Sequence, residues 1–503
     1  MRGFILAIDQ GTTSSRAMVL TTELEVVATA SHEIPQIYPR PGFVEHDPEA
    51  IWNSCVMSIK DAIEKSPFEA KDCLAIGITN QRETTIVWDA KDGKPVHNAI
   101  VWQCRRTAPL CEEMKRQGLE PLFQEKTGLV LDPYFSGTKL KWLLDNIHGL
   151  KSKAQEGKVK FGTVDSFLIC RLTGGKVHAT DSSNASRTLL LNIETLEWDE
   201  ELLKVLEVPR SMLPEVKPSA SVFGWTKGLG FLPDGIPIAG VAGDQQAALF
   251  GQACYEDAEA KCTYGTGAFL LMNTGTKRIR SRHGLLTTIA WTVDGVTKYA
   301  LEGSVFIAGA AVQWLRDGLG LIKKASEVEA LARTVEDNGG VVFVPALAGM
   351  GAPYWSAEAR GAFFGLSRAT NAGHIARAVL EGMAFSVAVV TEAMEKDAGF
   401  SLSELKVDGG ASANDLLLQF QSDLLGVPVV RPKILETTAR GAAALAGLGA
   451  SIISMDELKK LFKEDKRFEP KWNEDQRHKA LGRFKKAVMA TIGFTSPNEG
   501  QSL

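Results

Sequence analysis

The chain has 503 residues, 45% of them hydrophobic and 23% charged, with a formal net charge of -4. That balance is globular; it excludes a disordered chain and lacks the basic footprint of a nucleic-acid binder. At about 150 residues per domain the length suggests roughly three domains, a prior that α/β chains often break, and it allows a large buried core.

Taken in chain order, short β-branched runs alternate with helical patterns. Strands are predicted at 4–8, 74–79, 85–88, 236–241, 341–344 and 405–407, and helices at 50–64, 137–146, 308–315, 374–393 and 415–425. The alternation argues for an α/β class. The first apolar run, 4–8, is too short for a signal-peptide core. The small-residue run 441–453 is too short and glycine-rich to span a bilayer. Mixed charges over 455–477 read as a solvated helix face. The seven cysteines form no C-x-x-C pair, so a disulfide framework or structural zinc site is not expected and a reducing compartment fits. A cytoplasmic protein without membrane insertion is the expectation. No solenoid or propeller period occurs, but 5–20 and 260–273 both read strand, small polar turn, strand. The echo suggests two related lobes, with a boundary near residues 250–256.

The first of these hairpins carries Asp9, Gly11, Thr12, Thr13, Ser14, Ser15 and Arg16. Turn N–H groups and hydroxyls can cradle phosphate oxygens, and a carboxylate ending a strand can hold Mg²⁺ through water. An ordinary hairpin with polar turn residues is the alternative. The second turn, Tyr264-Gly265-Thr266-Gly267, could form the other jaw of a phosphate clamp. Gly409 and Gly410, after the strand at 405–407, would permit close approach of a flat ligand such as adenine, or simply make a tight turn. The Gly-Lys pairs at 93, 157 and 175 do not complete a P-loop, so nucleotide chemistry needs another scaffold. Arg82 and Glu83 lie between two strand runs; they form either a surface ion pair or a grip on vicinal hydroxyls. Asp244 and Gln245 follow the strand at 236–241, where α/β folds place ligands. Asp244 could be a general base for phosphoryl transfer, a helix N-cap, or both.

Several segments together are more specific: IDQGTTSSRA (8–17), PGFVEHDP (41–48), GITNQRETTIVW (77–88), NAIVWQCRRT (98–107), DPYFSGTK (132–139), NASRT (184–188), AGDQQAALFGQ (242–252), YGTG (264–267), LEGSVFIAGAAVQWLRD (301–317), GMGAPYW (349–355) and DGGASAND (408–415). Through them the chain resembles the glycerol kinases of the FGGY carbohydrate kinase family, within the wider actin-like ATPase superfamily. NQRETTIVW and GDQQAALFGQ point to glycerol rather than a pentulose.

The resemblance implies two ribonuclease-H-like lobes with an active-site cleft between them: residues 1–250 for glycerol and phosphate, 251–503 for nucleotide. It implies that Thr12, Thr13, Ser14 and Arg16 contact nucleotide phosphates from one hairpin and Thr266 from the other. Gly309, Gln313, Gly410 and Asn414 would line the adenosine and phosphate side of the second lobe. Arg82, Glu83, Tyr134, Asp244 and Gln245 would hold glycerol against an apolar wall of Trp102 and Phe269. Asp244 would be the general base and, with Asp9, would position Mg²⁺. The implied reaction is ATP-dependent phosphorylation of glycerol by a homo-oligomer, a dimer or tetramer. A kinase for another polyol, an actin-like or chaperone-like nucleotide module, and a bare ATP hydrolase are the rivals; the polyol residues argue against the last two.

The sequence also departs from some relatives. Residues 224–235 contain no arginine and no histidine, and they carry Asp234. Control by fructose 1,6-bisphosphate or by a phosphorylated histidine is therefore not expected. The stretch 469–474 does not match the segment that some relatives use to bind a phosphotransferase-system protein.

Overall fold

The computed structural model describes residues 3–495. The outermost positions of the two expected lobes, 1–2 and 496–503, lie outside the described residues. Two mixed sheets organise the chain. In the first, β1 (Phe4–Gln10), β2 (Ser14–Leu20), β3 (Val26–Glu33), β4 (Cys73–Asn80), β5 (Ala220–Trp225) and β6 (Pro237–Gly243) lie in the order β5-β6-β4-β1-β2-β3. β1 pairs antiparallel with β2, setting Asp9 opposite Arg16, and parallel with β4. β4 in turn runs parallel to β6. The nearly unbroken burial of β1 and β4 is what a central strand covered on both faces requires.

The second sheet contains β7 (Glu259–Tyr264), β8 (Ala268–Gly275), β9 (Leu286–Val293), β10 (Val296–Val305), β11 (Glu404–Asp408), β12 (Val429–Pro432) and β13 (Glu464–Phe468), ordered β9-β10-β8-β7-β11-β12-β13. Here β7 is antiparallel to β8 and parallel to β11, which is parallel to β12. The first sheet repeats that arrangement with β1, β2, β4 and β6. The repeat is the physical basis of the hairpin echo in the sequence, and the two ribonuclease-H-like α/β lobes stand as expected.

Helices cover both sheets. α1 (Pro48–Glu64) lies on the first sheet; Pro48 supplies a preset φ at its first turn and Asp47 accepts from the Glu49 N–H at 2.9 Å. α2 (Ser136–Asn146) belongs to the long insertion between β4 and β5, and α3 (Asp244–Gly251) starts directly where β6 ends. α4 (Gly309–Asp317), α5 (Ala372–Ala398), α6 (Asp415–Leu425), α7 (Thr437–Gly449) and α8 (Glu474–Thr495) follow in the second half. α5 is long and apolar enough to cross a membrane, but 78% of its most apolar 18-residue stretch is buried inside the protein, as for a core helix.

α7 joins the lobes. Although it follows β12, it packs on the first sheet so closely that a Cβ at Gly77 would lie 2.2 Å from the Ala442 carbonyl oxygen, and one at Gly240 2.2 Å from the Ala446 nitrogen. One apolar cluster accordingly contains Ile5, Ala75 and Ala239 with Leu271, Ala300 and Ala443.

Some sequence expectations need correction. The stretch at 455–477 is not one helix face. It divides into a short helix, Met455–Leu461, the charged edge strand β13 and the start of α8. Exposed charges on β13 suit a sheet edge, because they discourage pairing with another chain. The runs predicted as strands at 85–88 and 341–344 do form strands, Ile86–Asp89 and Val342–Val344, which lie outside the two main sheets and pair with Val159–Gly162 and Ala362–Phe364.

Candidate active site

Arg82 and Glu83 follow the carboxyl end of β4, and Asp244 and Gln245 follow that of β6. Because β4 and β6 are parallel neighbours, the two pairs meet. Gly243 makes the meeting possible: a Cβ there would stand 2.7 Å from both Cγ and Cδ of Arg82. Asp244 Oδ1 lies 3.3 Å from Arg82 Nε and accepts from the Gln245 N–H at 2.7 Å. The N-cap of α3 is Gly243, so Asp244 sits in its first turn, where the helix dipole favours a negative charge. The N-cap role weighed for Asp244 is thus taken by its neighbour.

The insertion supplies the next side chains. Tyr134 OH accepts from Arg82 Nη2 at 3.1 Å. Trp102 meets the Tyr134 ring edge-on at 5.7 Å, and its Nε1–H donates to Thr12 Oγ1 at 2.9 Å. That bond ties the apolar wall to the first hairpin and leaves the Thr12 hydroxyl free to donate its own proton.

Arg82 and Glu83 are not a surface pair, since they are 3% and 1% exposed. Glu83 adopts φ 61°, a left-handed backbone that costs a non-glycine residue roughly 1–2 kcal/mol. Ser136 Oγ and Thr85 Oγ1 both donate to its carbonyl and hold it there. Its carboxylate accepts from Arg187 Nε at 2.7 Å. Glu302, from β10 of the second lobe, receives Arg82 Nη1 at 2.6 Å and Nη2 at 2.9 Å, and Arg187 Nη2 at 3.0 Å. Burial works to raise the Glu302 carboxyl, but Arg187 and Arg82 outweigh it and hold it at about 2. For Glu83 burial prevails over the same arginines and the carboxyl is raised. Sequence reasoning assigned no role to Glu302 or Arg187, although both lie in segments that carried the resemblance.

The two hairpins frame a cavity of about 720 Å³, within the range of small-molecule sites. Thr12, Thr13, Trp102 and Tyr134 line it from the first lobe, and Thr266 and Phe269 from the second. Glu302, Phe306 and Trp355 line it as well and were not anticipated. The second turn is tightly built: Gly309 N–H donates to the Gly265 carbonyl at 2.9 Å, and a Cβ at Gly409 would lie 2.4 Å from the Tyr264 carbonyl oxygen. Gly309 and Gly410 therefore flank the Thr266 turn. Gln313 is exposed on α4, and Asn414 caps α6 by accepting from the Leu417 N–H at 2.9 Å. These four adenosine-side candidates are not among the residues lining the cavity.

Asp9 and Asp244 form the candidate metal position. Burial lifts Asp9 to about 6, with Arg16 opposing and the Asp244 charge adding. Two mutually repelling carboxylates at strand ends suit a hydrated divalent cation. Among the described residues no group of three or more His, Cys, Asp or Glu side chains could hold a metal; Mg²⁺ shared with phosphates and water does not require one. Lys261, buried on β7, donates to Gln245 Oε1 and, at 3.0 Å, to Thr263 Oγ1, and burial lowers its pKa.

In the stretch 224–235, which begins at the end of β5, Asp234 is paired with Lys227 at 2.5 Å and accepts from the Gly228 N–H at 2.7 Å.

Comparison with known proteins places these observations. The N-terminal domain of the FGGY family of carbohydrate kinases matches residues 4–251, and its C-terminal domain matches residues 260–450. Glycerol kinase 2 of Thermotoga maritima is 56% identical over 492 residues, 98% of this chain and 99% of the relative. A glycerol kinase of Deinococcus radiodurans is 56% identical over 497 residues, 99% of each chain. The crystal structure of Plasmodium falciparum glycerol kinase with ADP superposes with a TM-score of 0.93 at 39% identity, covering 97% of this chain and 98% of that one.

Proposed function

Because the chain belongs to the FGGY family of carbohydrate kinases, we propose that it is a glycerol kinase, transferring the γ-phosphoryl group of ATP to a primary hydroxyl of glycerol. One observation carries the assignment of the site: the Asp244 carboxylate sits 3.3 Å from the Arg82 guanidinium where β4 and β6 end. A base there can meet an alcohol held by Arg82, beside the cavity framed by the two hydroxyl-bearing hairpins.

In this reading Arg82, Glu83, Tyr134, Asp244 and Gln245 hold the three hydroxyls, while Trp102 and Phe269 cover the carbon chain. Buried polar groups left unpaired would penalise an analogue lacking a hydroxyl. Asp244 accepts the proton of the attacking hydroxyl, the alkoxide oxygen bonds to the γ-phosphorus, and ADP departs. The products are sn-glycerol 3-phosphate and ADP. Thr12, Thr13, Ser14, Arg16 and Thr266 donate to the phosphates; Gly309, Gln313, Gly410 and Asn414 take the adenosine side. Asp9 and Asp244 would hold Mg²⁺, which when bound supplies charge neutralisation on the phosphates. Closure of the lobes excludes water, the competing nucleophile. The free, buried state of all seven cysteines supports a reducing, cytoplasmic setting. The reading extends to a homo-oligomer, dimer or tetramer, which light scattering would size.

The test is ADP release with glycerol, dihydroxyacetone, erythritol, xylulose or no acceptor. Glycerol should give the highest kcat/KM, with little release in its absence. Equal release without acceptor would make the protein an ATP hydrolase, and a preference for xylulose would move it elsewhere in the family.

A further inference from the structure

We propose that Glu302 is a positioning residue: reaching across from the second lobe, it fixes the guanidinium of Arg82 and makes the grip on glycerol depend on how the lobes meet. The inference rests on the glycerol-holding role given to Arg82 above.

Arg82 has five N–H donors in a rigid planar fork. Both Nη atoms face one carboxylate, with Nη1 donating to Glu302 Oε2 at 2.6 Å and Nη2 to Oε1 at 2.9 Å. This bidentate geometry fixes the plane of the guanidinium as well as its place. The remaining contacts come from the first lobe: Nη2 to Tyr134 OH at 3.1 Å, Nη1 to Gln246 Oε1 at 3.3 Å, and Nε beside Asp244 at 3.3 Å and Glu83 at 3.6 Å. Arg82 therefore cannot turn toward or away from Asp244 without breaking its pair with the other lobe.

Glu302 is well placed for this work. It sits on β10, opposite Leu271 of β8 and Leu286 of β9, so its backbone is fixed on both sides by the second sheet. It is 2% exposed and lines the cavity. Both its oxygens already accept from arginines, so it acts on a substrate through Arg82. Arg187 supports the arrangement by bridging Glu302 at 3.0 Å and Glu83 at 2.7 Å. Two cations and two anions thus balance in the interior. A buried ion pair of this kind is seldom the most stabilising filling for its volume, while removing one member leaves an uncompensated charge. Positional control accounts for its presence better than stability does.

Glu302→Gln keeps the shape and removes the charge. Thermal unfolding would first establish that the variant folds, and initial rates would then be measured against glycerol at saturating ATP and against ATP at saturating glycerol. The glycerol KM should rise about tenfold or more, the scale on which removing the partner that orients a ligand-holding side chain acts. The ATP KM should stay within about a factor of two, a split that general damage to the fold would not produce. Glu302→Asp, which keeps the charge on a shorter stem, should fall between wild type and Glu302→Gln, and it carries the same test if Glu302→Gln does not fold. Arg82→Lys serves as the reference. If Arg82→Lys loses glycerol affinity while a folded Glu302 variant keeps the wild-type glycerol KM, or raises both KM values alike, the positioning role is overturned. If Arg82→Lys itself retains wild-type kinetics for glycerol, the reading of the site fails instead.

Discussion

At the scale of single residues the site depends on close approach. Gly243 has an ordinary extended backbone, φ -59° and ψ 153°, so alanine would fit its dihedral angles. The obstacle is steric, since a methyl group there would press on the Arg82 stem at 2.7 Å. Gly243→Ala is therefore expected to fold while displacing Arg82. A misplacement of about 1 Å can cost on the order of 10²-fold, so kcat/KM for glycerol should drop by up to about that factor. Steady-state kinetics would show it, and an unchanged kcat/KM would mean that Arg82 has room to spare. Arg82, Glu83 and Asp244 were legible in the sequence because they stand in polar runs immediately after predicted strands. Glu302 and Arg187 were not. Each is a lone charge among apolar or small residues, and only the meeting of distant segments reveals that each has a partner.

At the scale of elements, glycine governs the joint between α3 and α7. A Cβ at Gly441 would fall 1.8 Å from the Ala247 carbonyl oxygen, and one at Gly251 1.9 Å from that of Thr437. Gly441→Ala should cost roughly 1–3 kcal/mol or more, as overpacking does, and lower the midpoint of thermal unfolding. Gly482 on α8 is the internal control, since a Cβ there meets nothing within 4 Å. Gly482→Ala should be neutral or stabilising by up to about 1 kcal/mol, the helix-propensity difference. Similar losses at both positions would remove the helix joint from the account. Some helices were readable: α6 was predicted at its observed bounds, and α1 began two residues before the expected start because Pro48 opens its first turn, whereas α3, α7 and α8 were not among the predicted helices. What could not be read was the destination of α7. Its run of small residues signals close packing against something, and sequence alone does not say that the partner is the opposite sheet.

At the scale of the molecule, the two sheets share one strand arrangement, and their hairpins face a common cavity. The hairpin echo exposed the pairing of lobes because β1–β2 and β7–β8 are local structures with small residues at their turns. The insertion carrying Trp102, Tyr134 and Arg187 gave no such sign, since its packing depends on contacts with the second sheet through Leu286, Ile289 and Tyr299. A linear division near residues 250–256 likewise separates α7 in sequence from the sheet it covers. In the proposed reading, two lobes joined in this way bring a base, Asp244, from one half of the chain to a phosphate clamp built from both. The most direct measurement of that claim is the turnover of Asp244→Asn with saturating glycerol and ATP. Loss of the base should lower kcat by about 10²–10⁴-fold in a protein that still folds and binds ATP. Turnover at the wild-type rate would show that Asp244 is not the group that takes the proton from glycerol.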